Sequence, residues 1–213
     1  LRAMNEARRH KVPVFLNFEH GHQHPELLKK YSGLVTVCQA VTDAAQIGKK
    51  QAMLGVARKL INSGIKTAII TMASQGCMVV QGNEIIRAYA PKVKAVDACG
   101  AGATFSAGFV YGYLKGWNLE ASARFATAAA TLKVTRAGLT MFSVEQILEL
   151  AYRLRVERWA FKNNRFEIIE RILDIPRQVA VQGKRAQRTI MRELRIPEKQ
   201  VSVKVNHPRV KTK

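Results

Sequence analysis

The stretch "VDACGAGATFSAGF", residues 96–109, decides how this chain is read. An apolar end, two glycines around Ala101 and a helix-forming run fit a strand that passes through a tight turn into a helix. That geometry points several backbone N–H groups at one spot, which suits an anion. The residue after Gly102 is Ala103, so no side chain at the turn can take a proton from a substrate. The stretch reads as a phosphate cradle without an acid–base group.

The flanking segments set the context. "KTAIITM" (66–72) is strand-like, and "CMVVQGNEIIRAYA" (77–90) reads as a hairpin about Gly82-Asn83. Further upstream, "VPVFLNFE" (12–19) and "LVTVC" (34–38) are β-rich runs. "LRAMNEARRH", "HPELLKKYSG" and "QAVTDAAQIG" (39–48) read as short helices. Residues 49–64 place Met53, Val56, Ala57, Leu60 and Ile61 at helical spacing, with Gly64 as the stop. Residues 100–117 and 118–134 are helical by pattern, as is "SVEQILELAYRL", which Ser143 caps. Short apolar strands alternating with amphipathic helices predict an α/β fold, a mostly parallel sheet with helices on its faces.

Composition points to a second theme. Of 213 residues, 35 are Lys or Arg and 15 are Asp or Glu, a formal charge of +20. More than half of that excess lies after residue 150, where "KRAQRTIMRELRIPEKQ" reads as a basic amphipathic helix and "VSVKVNHPRVKTK" as a basic tail. "VERWAFKNNRFEIIERILDIPRQ", between them and the body, reads as one or two helices. The chain therefore divides into an α/β part, 1–150, and a basic C-terminal extension, 151–213. Such an excess favours a polyanionic partner, nucleic acid before membrane. Cys38, Cys77 and Cys99 are odd in number and widely spaced, which fits a reducing compartment and no metal pattern. His20, His22 and His24 alternate after a strand but have no cysteine partner, so they read as a polar loop. No apolar run reaches spanning length. The start at Leu1, with no Met or signal peptide, fits either a processed product, such as a chain cleaved from an organellar precursor, or the ordered part of something longer.

Residues from about 12 to 150 resemble the C-terminal half of a ribokinase-like (PfkB) carbohydrate kinase. The resemblance is carried by "DACGAGATFSAGFVYGYLKGW", by "NLEASARFATAAATLKVTRAG" and by "GIKTAIITMASQGCMVV" before them. The family signature is Asp-Thr-x-Gly-Ala-Gly-Asp. It implies that Gly100, Ala101 and Gly102 form an anion hole for a transferred phosphoryl group, while Ala103 stands where the family's base would be. It also implies a nucleotide loop at Thr71, Ala73 and Gly76, where Ala73 replaces a customary glycine. Gln39 and Thr42 fall where the family carries an Asn-x-x-Glu motif that organises Mg²⁺. Asp97 would position the loop in a kinase and here reads as a helix cap.

Together these departures lead the sequence toward a degenerate, catalytically inactive kinase fold without cofactor or metal. Its expected role is a structural component of a large ribonucleoprotein, a mitochondrial ribosome first. Ribosomal RNA and neighbouring proteins are the expected partners, with a partner or missing segment covering the open sheet edge. The RNA contacts fall to Lys184, Arg185, Arg188, Arg192, Arg195, Lys204, Arg209, Lys211 and Lys213. Trp159, Phe161 and Phe166 stack on RNA or dock the extension, docking being the better account of Trp159. Two alternatives stand beside this: an active sugar or nucleoside kinase using ATP and Mg²⁺, seen in part, and a pseudokinase scaffold in an organellar transcription complex. The location follows the function: mitochondrial, with plastid or cytoplasmic as alternatives.

Overall fold

Strand and helix alternate along the chain because apolar runs of about five residues are separated by amphipathic stretches. In the computed structural model, which describes residues 1–42, 49–162 and 165–172, the first half runs α1 (Arg2–Arg9), β1 (Phe15–Glu19), α2 (Pro25–Tyr31), β2 (Val37–Val41), α3 (Lys50–Asn62) and β3 (Thr67–Thr71). Then come β4 (Cys77–Gln81), β5 (Glu84–Ala88), α4 (Ala101–Leu114), α5 (Leu119–Val134), α6 (Val144–Tyr152), β6 (Val156–Lys162) and β7 (Arg165–Ile172). The seven strands form one sheet in chain order. β1, β2 and β3 are parallel, and from β3 onward each neighbour is antiparallel. The α/β architecture expected from the sequence, a sheet with helices on its faces, is present.

The central strands are apolar on both sides because both faces are covered. One face takes Met53, Leu54, Ala57 and Leu60 of α3, which pack with Ala40, Ile70 and Met78. The other takes Phe105 and Phe109 of α4 and Ala123 and Ala126 of α5, against Val37, Ile69, Val79 and Ile86. Neighbouring residues such as Ile69 and Ile70 thus serve opposite cores, as strand pleating requires.

α4 lies very close on α5. A Cβ at Gly108 would sit 3.0 Å from the Ala126 Cα, and one at Gly112 would meet Ser122 Oγ at 2.8 Å and Trp117 at 3.0 Å. Beside them Trp117, Tyr111 and Phe125 pack ring to ring at centroid distances of 5.3 to 5.5 Å. The Ser143 cap of α6 is a full capping box with Gln146.

Two segments differ from the sequence reading. Residues 156–162 and 165–172 are strands, not helices. β6 pairs with β5, and Trp159 enters the α3-side core, so this part of the extension docks on the body as expected for Trp159. Glu157 is buried with partners: it accepts from Tyr89 Oη (2.8 Å), Trp159 Nε1 (3.1 Å) and Arg155 (2.6 Å). Arg158 and Arg124 both donate to Glu120, which joins β6 to α5. Gln39–Val41, expected to open a helix, belongs to β2, because a strand flanked by β1 and β3 has ladder partners on both sides. The remainder of that expected helix, 43–48, lies outside the described residues. So do the whole basic segment after 172 and the nine lysines and arginines named in it.

The α4–α5 contact generates a prediction. Gly112→Ala should destabilise the fold by about 1–3 kcal/mol, the usual effect of overpacking, visible as a lowered urea midpoint. An unchanged midpoint would show that Ser122 and Trp117 yield freely.

Candidate active site

Gly100 takes a left-handed φ of 77°, which lets the chain turn from the 95–99 loop directly into α4. The helix begins at Ala101 with no side-chain cap, so its first amides must find partners elsewhere. The Ala101 N–H donates to Ala98 O (3.2 Å). The Gly102 and Ala103 N–H groups meet no acceptor among the described residues, and both residues are exposed. Of the residues singled out in the sequence, Gly100 thus shapes the turn, Ala101 is occupied internally and Gly102 is open. Ala103 lacks a proton acceptor but adds a second open donor through its backbone.

Asp97 is not the cap of α4; Gly100 holds that position. Its carboxylate instead ties three segments together. Oδ1 accepts from the Cys99 N–H (2.9 Å), and Oδ2 accepts from the Gly138 N–H (3.0 Å) and Lys133 Nζ (3.2 Å). Lys133 also donates to the backbone oxygens of Asp97 (3.2 Å) and Arg136 (3.5 Å). These bonds, the Cys99 amide first and then Lys133 and Gly138, hold the Asp97 carboxyl below its ordinary range. Lys133 escaped the sequence reading, although a lone lysine in the Ala-rich "AAATLKV" was a visible signal.

The second loop follows β3. Ala73 has φ 44°, a left-handed value unfavourable for a residue with a Cβ, and Gly76 has φ 86°. A Cβ on Gly76 would fall 2.2 Å from Ala88 O, so only glycine fits there. The loop closes on itself through Met72 N–H to Gly76 O (2.9 Å). Buried Arg87 braces it from below, donating to Gln75 O (2.7 Å), Cys77 O (2.9 Å) and Ala88 O (2.6 Å). β2 links the two loops: Gln39 Oε1 accepts from Ser106 Oγ of α4 (2.8 Å), and Ala40 O accepts from Thr71 Oγ1 (3.3 Å). Both loops therefore stand at the carboxyl end of the parallel strands, where α/β folds bind ligands.

Other chemistry is limited. Burial pushes the Cys38 thiol up to about 12 and raises Cys77 as well, so neither is a nucleophile. The described residues do not fit Mg²⁺. Gln39 is engaged by Ser106, Thr42 has no acidic group, and the carboxylate of Asp97 already accepts three hydrogen bonds. No group of three His, Cys, Asp or Glu among the described residues could hold a metal, and the imidazole of His22 lies against Glu19 O.

The glycine turn and the second loop both fall inside a match to the pfkB family carbohydrate kinase model, which covers residues 6–146. The chain belongs to the pfkB family of carbohydrate kinases. Relatives include the 1-phosphofructokinase of Borreliella burgdorferi, 32% identical over 53% of this chain and 36% of that protein. The 1-phosphofructokinase of Vibrio cholerae is 33% identical over 62% of this chain and 38% of its own length. The chain thus spans little more than a third of these relatives. The Arabidopsis thaliana ribokinase complexed with ribose and ATP shares the fold, with a TM-score of 0.58 over 70% of this chain and 50% of that one, at 24% identity.

These relatives overturn the ribosomal reading. They are kinases of small sugars, not components of a ribonucleoprotein, so ribosomal RNA and assembly proteins drop out as partners. The net charge that suggested RNA is a global quantity. It bears on solubility and non-specific association, and it does not identify a partner.

The bonds to Asp97 make a prediction. Its folded-state value lies below the unfolded one, so its contribution to stability is complete above about pH 4 and is lost as pH falls through the lower folded value. A carbon-13 titration of the Asp97 carboxyl should give a midpoint below 3.8. A midpoint at or above that value would contradict the bonding described.

Proposed function

We propose that this chain is the phosphoryl-donor half of an ATP-dependent sugar kinase. The observation that carries the reading is the pair of open amides at Gly102 and Ala103, lying within the pfkB match. In this reading a substrate hydroxyl oxygen attacks the γ-phosphorus and the bond from that phosphorus to the bridging oxygen of ADP breaks. The two N–H groups stabilise the charge spread over the transferred group. The loop at Thr71, Ala73 and Gly76 holds the nucleotide. Phosphorylated fructose is the first acceptor class to test, because two relatives are named 1-phosphofructokinase.

Ala103 lowers the rate in this reading and does not abolish it. Phosphoryl transfer proceeds through a loose transition state in which positioning and charge stabilisation supply most of the catalysis. The hydroxyl proton then leaves to water, and a positioned base would add about 10²–10⁴-fold.

The test is transfer of labelled phosphate from ATP to fructose phosphates. Slow transfer is expected from the native chain, and Ala103→Asp should accelerate it by about 10²-fold. Absence of transfer in both forms would overturn the reading.

A further inference from the structure

A carboxylate beside a phosphate-binding turn is an electrostatic liability. Asp97 lies five residues before Gly102, and its Oδ1 accepts the Cys99 N–H at the mouth of the turn. An uncompensated charge there would repel the polyphosphate that the turn receives. Lys133 is the counterweight. It is only 3% exposed, and its Nζ reaches both Asp97 Oδ2 and Asp97 O at 3.2 Å. Its stem passes directly behind the turn, with Cε 3.8 Å from where a Cβ of Gly100 would stand.

We infer that Lys133 is a positioning residue of the phosphate site, which neutralises Asp97 and so keeps the open amides attractive to an anion while Asp97 fixes the loop. The inference rests on the reading of those amides as a phosphoryl site. It assigns the lysine two tasks with different signatures. As a donor it holds Asp97 and Arg136 in place, a matter of geometry. As a charge it cancels the carboxylate, a matter of field. Only the second depends on salt and can be restored by removing the carboxylate charge instead.

The experiment measures ATP binding by calorimetry for the native chain, Lys133→Met, Asp97→Asn and the double variant Asp97→Asn/Lys133→Met, each at low and high salt. Lys133→Met should weaken binding by about tenfold at low salt, and the deficit relative to the native chain should shrink at high salt. The double variant, in which no carboxylate charge remains, should recover to within about threefold of native. Circular dichroism melts identify any variant that fails to fold, and in that case Lys133→Arg, expected to bind nearly as the native chain does, supplies the comparison with Asp97→Asn. A salt-independent deficit that the double variant does not repair would overturn the charge role, as would native binding by Lys133→Met. Failure of the native chain itself to bind ATP would overturn the site reading, and this inference with it.

Discussion

The seating of α4 on α5 is the constraint on which the site depends. Gly108 and Gly112 let the two helices approach to a distance that any side chain would obstruct. That contact fixes the axis of α4 and hence the point at which its first turn emerges. Because the helix begins without a side-chain cap, the open amides of Gly102 and Ala103 are delivered to the carboxyl end of the parallel strands. Lys133, near the end of α5, then reaches back to the loop that feeds α4. One helix pair therefore both places the donors and anchors the turn behind them.

A second tie runs through the sheet. β2 carries Gln39 at its middle and Ala40 next to it, one bonded to α4 and the other to Thr71. With Arg87 under the loop at Gln75, the backbone oxygens of the second loop are held by a buried cation. The two loops are thus fixed relative to each other by short polar contacts on an apolar frame. This is the arrangement that positioning catalysis requires.

Much of this was legible because its causes are local. The glycine turn, the Gly82-Asn83 hairpin, the Ser143 capping box and the helical spacing of residues 49–64 are each set by a few neighbouring residues. What was illegible depends on distant partners. "VERWAFK" and "RFEIIERI" look helical by their charges, yet they form β6 and β7 because β5 offers an edge. Tyr89 and Glu120, each more than 35 residues away, satisfy Glu157 and Arg158. Gln39 looked like a failed metal motif and is instead the acceptor for Ser106. The excess of positive charge misled for a different reason: charge summed over a chain does not say where on the fold it acts. The Ala103 side chain cannot move a proton, which its identity alone dictates, whereas the openness of its backbone amide depends on where α4 starts and on the lack of a side-chain cap.

The most direct test of the account is where a polyphosphate touches the chain. Amide proton–nitrogen spectra recorded during titration with ATP should show their largest shifts at Gly102 and Ala103, with smaller ones along residues 71–76. Shifts confined to other parts of the chain, with Gly102 and Ala103 unmoved, would contradict it.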